Sequence, residues 1–285
     1  MQPAMPPTPG SGARARSAVG SVVSLWRYPV KSMMGEELNA SRVTDRGLWG
    51  DRAFALVDQV TGKVASAKNP QKWGRLFEFR ASLREPPETG RALPAVRITL
   101  PDGSVTSSDQ IDVDGRLSQA LGAQVRLQTC GLEAPAYEEY WPDLEGLPHR
   151  EQVTDELMPP RTFFDMGMVH LLTTATLDRL RELSPEGRFE ARRFRPNIVI
   201  EPSSVGKGFL ENGWVDRTIG LGEEVRLRIT ALCGRCVMTT LPQGDLPRDL
   251  AILQTASRHN RRKVGVYASV EQGGTVQRGD PVWVE

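Results

Sequence analysis

Turn sequences interrupt this chain before any apolar run grows long, and that limits it to short strands more than anything else does. Runs such as "ASRVT", "FALVD" and "VRITL" are cut by "DRG" at 45–47, "TGK" at 61–63 and "PDGS" at 101–104. Gly, Asp and Pro in these places supply turn backbone and break helices. Five or six short strands over about 110 residues predict an antiparallel sheet closed or nearly closed on itself. "VDGRLSQALGA" is the one expected helix there, ending at Gly122 as a C-cap. The first ordered run is "VGSVVSLWRYPVKS", with Val22, Leu25 and Trp26 in a strand before Pro29.

Residues 131–165 turn acidic and proline-bearing without a clean period, which reads as a surface connection or lid. Then "VHLLTTATLDRLREL" predicts a helix capped by Thr173 or Thr174, with Leu177, Leu180 and Leu183 on its apolar face. "LPRDLAILQTASRHN" predicts another. The runs "RFRPNIVIEP", "WVDRTIGLGEEVRLRITALCGRC" and "GVYASVEQGGTVQRGDPVWVE" return to strands and glycine turns. The expected division is a disordered leader over 1–19, a β-barrel-like part over 20–130, the connection over 131–165 and a second β-rich part over 166–285. The fold class is mainly β with some α.

Composition narrows the function classes. A formal net charge of +1 gives no electrostatic case for nucleic acid or an anionic membrane. No apolar stretch reaches the length of a spanning helix. The opening "MQPAMPPTPGSGARARSA" lacks a signal-peptide core, and three cysteines make an odd set. The expectation is a cytoplasmic protein with free thiols.

Two of those cysteines lie in "CGRCVMTT", residues 233–240. A structural zinc site needs four ligands, and His149, His170, His259 and Cys130 are dispersed. A redox dithiol needs a helix after the motif, whereas "VMTTL" is β-branched and apolar. Two readings stay open on the residues alone. Both cysteines are small packing residues, or Cys236, with Arg235 adjoining it to favour the thiolate, binds a metal that brings most of its own ligands. Elsewhere "YPVKSMMG" offers Lys31 and Ser32 as an ammonium and hydroxyl pair suited to an oxyanion, or as a solvated loop. "GDRAF" adds Arg52, and "RRFRPNIVI" adds Arg193, Arg195 and Asn197, which serve equally as surface ion pairs. No serine–histidine–carboxylate triad, P-loop or dinucleotide fingerprint is present.

Taken in order, "YPVKS", "GLWGDRAFALVD", "RFRPNIVI" and "CGRCVMTT" resemble the MOSC family, with its β-barrel N-terminal companion domain, over about residues 20–285. The resemblance extends to amidoxime-reducing members. It implies a MOSC domain of β-barrel type preceded by a smaller barrel-like domain, and binding of the molybdenum cofactor. It makes Cys236, not Cys233, the metal ligand and the catalytic residue. It gives cofactor-binding roles to Lys31, Ser32, Arg52, Arg195, Asn197, Arg235, Thr239 and Thr240, and to Lys68 where relatives carry an arginine. "TTLPQGDLP" departs from the usual continuation after the two threonines, and Glu211–Asn212 stands where Glu-Asp is usual.

By the same resemblance, the expected activity is reduction of an N-hydroxylated small molecule. Electrons would come from a separate ferredoxin- or cytochrome-type donor, with no nucleic-acid or membrane partner. The alternative is a sulfur-carrier or cofactor-handling module like molybdenum cofactor sulfurase, using Cys236. That kinship also carries a family-level association with pyridoxal phosphate, whose desulfurase region is not expected in this chain.

Overall fold

A computed structural model describes residues 18–88, 90–144, 147, 149–204 and 206–285. The expected leader falls almost wholly outside them. Its last residue, Val19, already donates its backbone N–H to Val282 at 2.7 Å.

Seven strands close into a barrel. They are β1 (Gly20–Arg27), β13 (Ile198–Pro202), β12 (Val169–Thr173), β16 (Lys263–Gln272), β15 (Val225–Gly234), β14 (Thr218–Leu221) and β18 (Pro281–Val284), in that spatial order. β1 then pairs with both β13 and β18, so the ring has no free edge. The first described strand is therefore part of the C-terminal barrel. Leu25, Leu171, Ile198, Ile219, Leu227 and Val266 fill the barrel at 0% exposure. Each such side chain contributes about 1.5–3 kcal/mol by leaving water.

One barrel pairing is parallel: Leu171 stands beside Ile198 and Thr173 beside Ile200. Parallel neighbours need a crossover, supplied by α3 (Thr174–Leu183) and α4 (Ala191–Phe194). With α3 covering it, β12 is buried along its whole length, which explains the unalternating "VHLLT". The Thr173 side chain caps α3 by accepting from the Thr176 N–H. α5 (Ala251–Asn260) packs Ile252 and Ala256 against Leu180 and Phe194 of the same cluster.

Of the remaining strands, those over 54–129 build the N-terminal β-barrel with α1 (Pro70–Trp73) and α2 (Val113–Leu121). β2 (Glu36–Leu38) extends β1. β3 (Ala40–Thr44) joins β4 (Gly47–Leu48) and, from the far end of the chain, β17 (Gly274–Gln277). β5 (Phe54–Asp58) pairs with β9 (Val125–Thr129), and β6 (Arg80–Leu83) with β7 (Val96–Thr99) and β8 (Val105–Ser107). Trp73, Leu76, Phe79, Ile98 and Leu117 make its core. α2 ends at Gly122 in the left-handed conformation, φ 70°.

The stretch 131–165 differs from an irregular connection. It contains the hairpin β10 (Ala136–Tyr140) and β11 (Val153–Leu157). The alternating polar residues of "AYEEY" conceal it: Tyr137 and Glu139 point inward, to groups described next. No helix among the described residues is long and apolar enough to cross a membrane.

Candidate cofactor site

Five chain segments bring cations to one place between the barrel and the N-terminal domain. The first follows β1. Its Lys31 N–H donates to Phe54 O at 2.9 Å, which ties the turn to β5. The buried Lys31 ammonium donates to Phe163 O at 3.0 Å and to Asp165. Burial pulls the Lys31 pKa below the usual lysine value, against the attraction of Asp165. Ser32 has φ 63°, and its Oγ accepts from the Ala67 N–H.

The second segment is the turn after β4. Asp51 is buried and accepts from the Tyr28 N–H at 2.7 Å, from Asn197 Nδ2 at 3.0 Å and from Arg52. This Asp51–Arg52 pair is a buried anchor, not the surface pair that the sequence also allowed. Arg52 and Arg195 lie over the Tyr28 ring at 4.5 and 4.1 Å from its centroid. Burial pushes the Tyr28 hydroxyl up to about 12, against both arginines.

The third segment leads into β13. Arg195 ends α4 at φ 54° and donates to Met33 O at 2.7 Å. Burial, then Arg52, pulls its pKa down to about 10. Asn197 bridges the elements: its Oδ1 accepts from the His170 N–H, and its Nδ2 also reaches Trp26 O. Ser32, Arg52 and Arg195 thus all sit in the left-handed region that favours glycine. Such strain persists where surrounding structure holds the residue for its side chain. Arg193 does something else: fully buried, it donates to the carbonyls of Thr239, Leu241 and Pro247, and so holds the turn after Cys236.

The fourth is Lys68, which donates to Tyr137 Oη at 2.9 Å and Glu139 Oε2 at 3.0 Å, with Asp165 at 3.4 Å. Burial opposes its charge, yet Asp165, Cys236 and Glu139 together raise its pKa well above the usual value. Asp165, between Lys31 and Lys68, is held far below the carboxylate range despite burial.

The fifth is "CGRC" itself. Register shifts between Ile229 and Ala231 and between Leu232 and Gly234 bend β15 just before it. That bend turns the Arg235 guanidinium onto the Cys233 sulfur and Phe194 O, away from the neighbour it was expected to activate. Cys236 is half-buried and opens the short 3-10 turn Val237–Thr240. Burial pushes its thiol up to about 11, with Lys68 and Arg235 opposing. The expectation of a depressed Cys236 pKa is therefore corrected: desolvation outweighs the nearby cations. Thr239 Oγ1 donates to Cys236 O at 3.0 Å and Thr240 Oγ1 to Val237 O at 2.7 Å, so both hydroxyls shape the turn.

A polar cavity of about 70 Å³ lies among Lys31, Arg52, Asp165, Arg195, Asn197 and Arg235, with His170 and Tyr267 also on its wall. Burial, then Arg235, pushes His170 down to about 3, so it is a neutral imidazole at ordinary pH.

The domain on each side of this site is identifiable. A family model described as "MOSC domain" matches residues 159–283, and one described as "MOSC N-terminal beta barrel domain" matches residues 19–137. The chain carries a MOSC domain and a MOSC N-terminal beta barrel domain. It is 26% identical over 298 residues to mitochondrial amidoxime-reducing component 1 of Homo sapiens, covering 95% of this chain and 85% of that protein. It is 25% identical over 305 residues to mitochondrial amidoxime reducing component 2 of Bos taurus, covering 96% and 86%. Molybdenum cofactor sulfurase of Oryza sativa subsp. japonica is 24% identical over 265 residues, covering 83% of this chain and 30% of that protein.

Around the MOSC-domain turn, the structure gathers Lys31, Arg52, Lys68, Arg195 and Arg235, leaves Arg193 to the carbonyls of the following turn, and adds groups that sequence reasoning missed. Tyr28, Asp51, Tyr137, Glu139, Asp165, His170 and Tyr267 complete the site. Asp51 and Tyr28 adjoin residues that the motifs already flagged. Tyr137 and Glu139 arrive through the hairpin that the sequence hid, and Asp165 through the irregular run that follows it.

Proposed function

We propose that this chain binds the molybdenum cofactor and reduces N-hydroxylated small molecules, taking electrons from a separate protein. The observation that carries the reading is the convergence of Lys31, Arg52, Lys68, Arg195 and Arg235 beside a half-buried thiol. Among the described residues three carboxylates, Asp51, Glu139 and Asp165, pair within this group of five cations, leaving an excess of two positive charges before the thiol is counted. That balance suits a dianion such as a terminal phosphate. Two buried polar atoms at the site, Arg235 Nε and Tyr28 Oη, have no hydrogen-bond partner among the described residues. The cavity accommodates an oxyanion and not a pterin ring system, so it is the anionic end of the cofactor that the enclosed space fits. Among the described residues no three of His, Cys, Asp and Glu gather as a ligand set, which fits a metal that brings most of its own ligands.

In this reading Cys236 ligates the metal. Its proton has to leave first, and the Lys68 ammonium beside it stabilises the thiolate that remains. Lys31, Arg52 and Arg195 hold the phosphate, while Asp51 and Asn197 fix Arg52 and the strand ends around it. Tyr28 separates Arg52 from Arg195 and shares their charge through its ring face. His170 stays neutral and adds no charge to the pocket. The cofactor, once bound, supplies the two-electron redox chemistry.

The test is metal analysis and benzamidoxime reduction on protein from a molybdenum-sufficient host. Cys236→Ala is expected to lose molybdenum and at least about a hundredfold in rate, while Cys233→Ala keeps the metal. Wild-type protein with near-zero molybdenum, or equal loss in both variants, overturns the reading. The likeness to molybdenum cofactor sulfurase supports a second reading, in which Cys236 carries sulfur. A persulfide-sized mass on Cys236 and no bound pterin would select it.

A further inference from the structure

Arg258, Arg261, Arg262 and Lys263 form a cationic face where α5 ends, and none of the four is in an ion pair among the described residues. Several other surface cations are neutralised. Glu190 and Asp245 hold Arg188 and Arg192, while Asp155 holds Lys63 and Asp58 holds Lys72. Between Leu246 and Lys263 the one carboxylate is Asp249, at the far end of α5, where it accepts from the Ala251 N–H.

A helix C-terminus favours a cation or two in its last turn, which accounts for Arg258. It does not account for the next residues. Arg261 and Arg262 take φ 49° and 63°, two successive left-handed positions where Gly or Asn is the usual choice. The Arg262 N–H closes the helix on Ala256 O at 2.9 Å. Its guanidinium lies over the Trp141 ring at 5.8 Å, which fixes its direction. A backbone held in this form with arginines in place favours charge over conformational ease.

The face also adjoins the site. Arg262 O accepts from the Arg235 N–H at 2.8 Å, and Cys236 is the next residue. From this geometry we infer that Arg258, Arg261, Arg262 and Lys263 are the docking surface for an acidic electron-donor protein, delivered next to the Cys236 turn. The inference rests on the proposed reductase reading. Unpaired like charges on one face of a protein with net charge +1 steer an acidic partner and orient it on arrival.

Calorimetric titration of the full chain with an acidic [2Fe–2S] ferredoxin tests it, run at low and at physiological salt. Binding is expected, weakening with salt. The double variant Arg258→Glu/Arg261→Glu is expected to weaken it about tenfold or more while keeping the wild-type rate with reduced methyl viologen. Arg261→Gly relaxes one left-handed residue, so it is expected to melt higher than wild type and still bind the ferredoxin less tightly. Unchanged ferredoxin affinity in a normally melting double variant overturns the inference. So does wild-type protein that ignores the ferredoxin but binds phosphatidylserine vesicles or single-stranded DNA through these residues. If methyl viologen supports no turnover in wild type, the reductase reading falls, and salt-sensitive ferredoxin binding still reports on the surface by itself.

Discussion

At Cys236, desolvation and charge pull in opposite directions, and desolvation is the larger. With its thiol near 11 rather than the ordinary 9.0, cofactor-free Cys236 carries about a hundredfold less thiolate at about pH 8 than a free cysteine. Alkylation of cofactor-free protein with iodoacetamide, followed by peptide mass spectrometry, is expected to show slow labelling at that pH that accelerates toward about pH 11. Lys68→Met removes the cation that lowers the value, so it should shift the profile to still higher pH. Rapid labelling of Cys236 at neutral pH would mean that the thiol is more open to water than its burial indicates. The two cysteines of "CGRC" also part company here. Arg235 contacts the buried Cys233 and stabilises its position, while the half-buried Cys236 faces Lys68. Adjacency in sequence suggested the opposite pairing, because a linear motif does not say which way a guanidinium turns after a bulge.

Among elements, β12 and β16 show how closely the barrel wall is fitted to the site. Gly265 sits on β16 at φ +80°, and a Cβ there would lie 2.2 Å from His170 Nε2 and 2.6 Å from Leu171 O. Gly265→Ala is expected to cost about 3 kcal/mol, from overpacking together with the left-handed backbone. Urea denaturation measures it; a loss under about 1 kcal/mol would show that the wall yields easily. Much at this scale was legible in the sequence. The Thr173 cap, the Gly122 stop and the glycine turns act through near neighbours, so local chemistry reveals them. The parallel β12–β13 pair was not legible, since periodicity gives a strand and not its partner. The hairpin β10–β11 was hidden for another reason. β10 buries a tyrosine and a glutamate that reach Lys68, and β11 buries no residue fully, so no hydrophobic alternation marks them. Asp165 and Glu139 were missed with it, whereas Lys31, Arg52, Arg195 and Cys236 stand in short motifs whose order along the chain is itself the signal.

At the scale of the molecule, the two family regions interlock rather than follow one another. β1 belongs by sequence to the N-terminal region but closes the C-terminal barrel, and β3 takes its partner β17 from near the chain's end. A fragment spanning residues 19–137 would leave both strands with unpaired edges and strip the cover from Val22, Leu25 and Val43. It is expected to lack the cooperative thermal transition that the whole chain shows by circular dichroism. A fragment melting as sharply as the full chain would show that β1 and β3 are ornaments to that domain rather than parts of its neighbour.

Closure of the barrel by the first strand also sets an order on synthesis. β1 is the first of the described strands, yet β18, which closes the ring on it, spans Pro281–Val284. During translation β1 can pair at once with β2, but its barrel neighbours β13 and β18 are made much later, so closure of the barrel is a late step in folding.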